Sequence, residues 1–98
     1  MDDSKLLELA SLAAGETYTT EHNPLDRDDL ALRLAVRLHL DINQYPVTDD
    51  YGMGMIEIWC SGDGDPAHVE YVKTGDDRLI ATRQAIVRAA AEIGRNMK

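Results

Sequence analysis

Three groups of residues in this 98-residue chain are of types that can do chemistry. Cys60 and His68 fall in two stretches that read as neighbouring strands, so a thiol and an imidazole base come within reach of each other, as a cysteine nucleophile requires. Cys60, however, continues the face of Ile56 and Ile58, where a cysteine packs as a small hydrophobe, and it is read as core. Asp63 and Asp65, with Gly64 between them, begin like a calcium loop. Such a loop needs an oxygen ligand at its fifth position and glycine at its sixth, and here these are Ala67 and His68. His22, His39 and His68 share no ligand spacing, whereas zinc takes three or four convergent ligands. His39 lies on an apolar helical stripe and is expected to be packed and hydrogen-bonded. No nucleophile-elbow, dinucleotide or phosphate-loop motif is present. The residues therefore suggest no catalytic, metal-binding or cofactor-binding set, and the chain is expected not to be an enzyme.

The elements that would position any site follow from the punctuation. Asp2, Asp3 and Ser4 precede the apolar run from Leu6 to Ala14, and Gly15 follows it, which predicts a capped helix. Asn23-Pro24 is expected to open a second helix, with Asn23 as its cap and Asp26, Asp28 and Asp29 in the first turn. On that helix Leu30, Ala31, Leu34, Ala35 and Leu38 form one stripe, and Leu32, Val36 and His39 an adjacent one. More than half of its circumference is expected to be buried. Residues 41–47 read as a short strand that Pro46 confines to an edge or ends. Residues 49–52 read as a turn, 53–60 as the best strand and 68–73 as an alternating strand. The last helix runs from about Asp77 to Asn96. Its stripes are Leu79, Ile86, Ala90, Ile93 and Met97, then Ile80, Val87, Ala91 and Gly94, with Arg83 between them as a snorkelling side chain or a partner for an acid from the sheet. Strands clustered between helices, without βαβ crossovers, predict an α+β fold: a single domain over residues 1–98 in the order α-α-β-β(-β)-α, with two or three antiparallel strands.

Composition narrows the functions. The net charge is −8, which argues against direct binding to a nucleic-acid backbone. The acidity is uneven: residues 1–77 carry 17 Asp and Glu against five Lys and Arg, while residues 78–98 carry five Lys and Arg against Glu92 alone. Helix-dipole placement accounts for much of this, and a bipolar molecule whose acidic face meets a basic partner is the alternative. One cysteine excludes an intramolecular disulfide framework. No apolar stretch approaches the roughly 20 residues that span a bilayer, and no secretory leader is expected.

Met53, Met55, Glu57 and Trp59 share one face of the central strand, and Gly54, Ile56, Ile58 and Cys60 the other. Both faces carry large apolar groups, unlike a sheet with one solvated face. Either helices cover both faces, or Met53, Met55 and Trp59 meet another chain.

Two segments resemble small proteins of tailed bacteriophages and prophages of Gram-negative bacteria: Asn23-Pro-Leu-Asp-Arg-Asp-Asp-Leu-Ala-Leu-Arg-Leu-Ala-Val-Arg-Leu-His-Leu-Asp-Ile42 and Ala81-Thr-Arg-Gln-Ala-Ile-Val-Arg-Ala-Ala-Ala-Glu-Ile-Gly94. The opening Lys5–Ala10 and Ala13–Gly15 resembles the start of the same proteins. The layout resembles the phage ABA sandwich domain, in which helices enclose a small antiparallel sheet. The resemblance implies a phage or prophage origin and the cytoplasm of a bacterial host; it implies no activity and no site residues. The first expectation is an acidic accessory protein that binds a host or phage protein complex. In its sharpest form it inhibits a host defence or regulatory complex, as anti-CRISPR proteins do, with Asp49, Asp50, Asp63 and Asp65 as the contact acids. The second is self-association, as a homodimer, through Met53, Met55 and Trp59. The third is a small ligand held against Trp59 and Tyr71 in a concave pocket.

Overall fold

A computed structural model describes residues 2–46, 53–60, 64, 66–73 and 75–97. The elements are α1 (Asp3–Ala14), α2 (Asp28–Arg37), β1 (Leu40–Tyr45), β2 (Met53–Cys60), β3 (His68–Lys73) and α3 (Arg78–Asn96). The fold is α+β with the expected order, and the antiparallel sheet has strand order β1-β2-β3. Pro46, which cannot donate to a ladder, follows the last residue of β1.

Local chemistry explains the helix ends. Asp2 caps α1 by accepting the Lys5 amide at 2.8 Å, and Gly15 closes it in the left-handed region at φ 69°. Asp77 caps α3 by accepting the amides of Leu79 and Ile80. The start of α2 differs from expectation. Asn23 is 2% exposed and its side chain binds a turn in place of a helix. Its Oδ1 accepts the Leu25 and Asp26 amides, and its Nδ2 donates to the Thr19 and Thr20 carbonyls and to Asp26. The chain is then extended at Arg27, so α2 begins at Asp28 with no side-chain cap.

The core lies between the helices and one face of the sheet. Ile56 and Ile58 of β2 and Val72 of β3 meet α3, whose Ala85, Val87, Ala89, Ala90 and Ala91 are buried. The far side of α3 packs on Leu6, Leu9 and Ala10 of α1, and α2 leans on α3 and β1. Helix α2 is buried on one stripe only, Leu30, Ala31, Leu34 and Ala35. Leu32 and Val36 are 63% and 65% exposed, because this ten-residue helix has neighbours on a single side. His39 is also exposed rather than packed. It adopts φ 55° in the tight link between α2 and β1. The apolar ends of α3, Leu79, Ile80 and Met97, are exposed as well. They lie outside the stretch that α3 buries, from Ala85 to Gly94. Arg83 neither snorkels freely nor reaches the sheet. It donates to the Leu25 carbonyl at 2.7 Å and to Asp28 at 2.6 Å, tying α3 to the start of α2.

Candidate interaction surface

Strand register decides what each face presents. Gly54 stands opposite Val72, Ile56 opposite Gln44 and Glu70, and Ile58 opposite Ile42 and His68; this is the face under α3. The outer face carries Met55 between Tyr45 and Tyr71, Glu57 between Asn43 and Val69, and Trp59 beside Asp41. Among the described residues no helix lies over it. Of the two arrangements the sequence leaves open, helices over both faces or Met53, Met55 and Trp59 meeting another chain, the first is not found among the described residues. Tyr45 and Tyr71 are 45% and 62% exposed, and Met55, Trp59 and Val69 are half-buried.

Met55 and Trp59 of the expected contact set thus share the bare face. Met53 begins β2 opposite Lys73. Asp49, Asp50, Asp63 and Asp65, as well as the turn expected at 49–52, lie outside the described residues. Tyr45 was not among the residues expected at this face. Its membership depends on the register of β1 against β2, and the alternation of β1 alone does not fix that register.

The outer face has its own polar organisation. The Tyr45 hydroxyl donates to Glu57 Oε1 at 3.0 Å and Trp59 Nε1 donates to the same oxygen at 3.4 Å. Two aromatic side chains four residues apart in register are thereby drawn towards one carboxylate. The hydrogen bond to Glu57, and then its charge, raise the Tyr45 hydroxyl above its ordinary value, since ionising it would place a second negative charge beside the first.

The other expected chemistry resolves differently. His68 stands opposite Ile58, two residues short of Cys60, and its Nε2 is 2.9 Å from Glu70 Oε1, so its partner is a carboxylate rather than the thiol. Cys60 is half-buried at the end of β2 and does not belong to the buried core. Arg88 reaches the same Glu70 oxygen at 2.6 Å. Burial would raise Glu70, but the hydrogen bonds from His68 and Arg88 and their charges together hold it below the usual value. Among the described residues no group of three or more His, Cys, Asp and Glu could hold a metal ion. Tyr71 lines a hollow of about 270 Å³ with Glu70, Asp76, Asp77 and Ile80. Trp59 lies four residues along β2 from Met55, the partner of Tyr71, and is not among the residues that line this hollow.

Among the described residues no helix is long and apolar enough to cross a membrane. In comparisons with protein-family models, curated proteins and solved structures, the chain matches none.

Proposed function

We propose that this chain is a non-catalytic protein-interaction module that engages its partner with the outer face of the sheet. The observation that carries the reading is the bare face itself. Tyr45, Met55, Trp59, Val69 and Tyr71 line it, and no described helix covers it. Aromatic and methionine side chains are the types enriched where proteins meet, and apolar side chains left to water have a cost that a partner removes. The resemblance of α2 and α3 to phage and prophage proteins, with the −8 charge, gives the proposal its setting. In it, an accessory protein in a bacterial host acts on a host complex and inhibits it by occupying a basic groove.

The test is a tagged pull-down from bacterial lysate, with and without nuclease, using wild type and a Trp59→Ala/Tyr71→Ala double variant. We expect one complex enriched by wild type in both conditions and lost by the variant, whose melting temperature stays within about 5 °C of wild type. Capture unaffected by the double variant would remove the outer face from the proposal. Charge reversal of Asp49, Asp50, Asp63 and Asp65 tests the inhibitor form separately: an inhibition that survives it does not depend on acidic mimicry.

A further inference from the structure

Four glutamates are half-buried among the described residues: Glu16, Glu57, Glu70 and Glu92. Three of them hold an arginine. Glu16 pairs with Arg33 at 2.9 Å and Arg37 at 3.4 Å, Glu70 with Arg88 at 2.6 Å, and Glu92 with Arg95 at 2.9 Å. Glu57 has no described cation. Its Oε1 takes the Tyr45 and Trp59 donors, and its Oε2 accepts from no described residue. Removing a carboxylate from water is costly unless it is paired. Two neutral donors on one oxygen leave most of that charge uncompensated.

We propose that Glu57, flanked by the rings of Tyr45 and Trp59, receives an arginine side chain from a partner protein at the centre of the outer face. A guanidinium donates charge-assisted hydrogen bonds to the free carboxylate oxygen and rests against the electron-rich ring faces. It is more weakly hydrated than an ammonium, so it suits a seat half-closed by aromatic rings better than lysine does. Asp41, exposed beside Trp59 on the same face, adds negative potential, and Lys73 lies away from it at the Met53 corner.

Charge complementarity also decides the occupant. All seven arginines of this chain already have an acid or a carbonyl. Arg78, for instance, donates to Gln44 and to the Tyr45 carbonyl, and Arg83 to Asp28. A guanidinium supplied by a second copy would first have to leave one of these contacts. A two-fold face-to-face pairing would also bring Glu57, midway along the central strand, towards its own copy, and like charges oppose that pairing. The occupant is a different protein with a basic surface. This inference rests on the outer face being an interaction surface.

The chain has one tryptophan, so its fluorescence reports directly on the seat. The full chain is titrated with three capped peptides, Gly-Arg-Gly, Gly-Lys-Gly and the neutral isostere Gly-citrulline-Gly. We expect saturable quenching by the arginine peptide that weakens as salt rises. Binding should be about tenfold weaker for the lysine peptide, and absent for citrulline and for Glu57→Gln. That variant keeps an oxygen for Tyr45 and Trp59 to donate to, and circular dichroism verifies its fold. No saturation by the arginine peptide, or equal responses to arginine and citrulline, would overturn the seat, and the citrulline comparison needs no variant. The two proposals also fail separately. A partner captured through Trp59 and Tyr71, without arginine binding, removes only the seat. Arginine binding without any captured partner removes only the module.

Discussion

The backbones of α1 and α3 touch at Leu9 and Gly94: a Cβ placed on Gly94 would lie 2.0 Å from the Leu9 carbonyl oxygen and 2.8 Å from its carbon. The close approach explains why a glycine interrupts an alanine-rich helix. There α1 comes down onto α3, and Leu6, Leu9 and Ala10 are buried. In an exposed helix Gly→Ala adds about 1 kcal/mol of stability. Here the methyl meets backbone, which cannot rotate away, and the helices must separate. We expect Gly94→Ala to lower stability by about 2 kcal/mol despite its better propensity. That is a fall of roughly 10 °C in melting temperature, read by circular dichroism. A rise would show that α1 is not seated on α3 in this way.

A second expectation concerns His39, which holds φ 55° between α2 and β1. Its amide donates to the Val36 carbonyl at 3.2 Å, so it ends the helix where glycine is usual. An L-residue in that region carries about 1 kcal/mol of strain. Removing it outweighs the added freedom of glycine in the unfolded chain, a loss of about 0.5 kcal/mol. His39→Gly should raise the urea midpoint by the equivalent of about 0.5 kcal/mol at unchanged slope, and His39→Val should lower it by at least about 1 kcal/mol.

The sequence carried most of the architecture because its signals are local. Asp2, Gly15 and Asp77 mark helix ends with their own side chains or backbone freedom, and the alternation of 53–60 and 68–73 needs no knowledge of neighbours. Burial is where local signals fail. Leu32 and Val36 sit on an apolar stripe as regular as that of Leu34 and Ala35, yet among the described residues no element packs over them. A stripe says which side could be buried, and only the third dimension supplies the neighbour. The same limit applies at the outer face. Met55 and Trp59 were legible from alternation, but the meeting of Tyr45 with Glu57 depends on strand register. Asn23 shows the converse: a residue suited to capping a helix equally caps a turn when the following residue is extended.

Arg83 provides a test of the α2–α3 junction. Its side chain is 17% exposed, while that of its acid partner Asp28 is 64% exposed. The two ends of this bridge should therefore count differently. Asp28→Asn leaves a neutral acceptor in water and should change stability by no more than about 0.5 kcal/mol. Arg83→Met removes the donor to the Leu25 carbonyl as well and should cost about 2 kcal/mol. Equal effects from the two variants would mean that the ion pair, rather than the carbonyl contact, holds the turn.

Glu70 should set an acid limit on stability. Burial pushes its pKa up, but His68 and Arg88 together bring it below its ordinary 4.5. A carboxylate depressed on folding contributes stability above its unfolded value, and that contribution is lost as pH falls through the folded value. Near neutral pH the Glu70→Gln variant should be less stable than wild type by about 1 kcal/mol, since Arg88 then faces an amide. Below about pH 4.5 the gap should narrow, as wild type takes up a proton that the variant cannot bind. Urea unfolding of both proteins between pH 7 and pH 3 reads the difference directly. A gap that stays constant across this range would mean that Glu70 titrates alike in the folded and unfolded chains, and that the His68–Glu70–Arg88 contact does not select its ionised form.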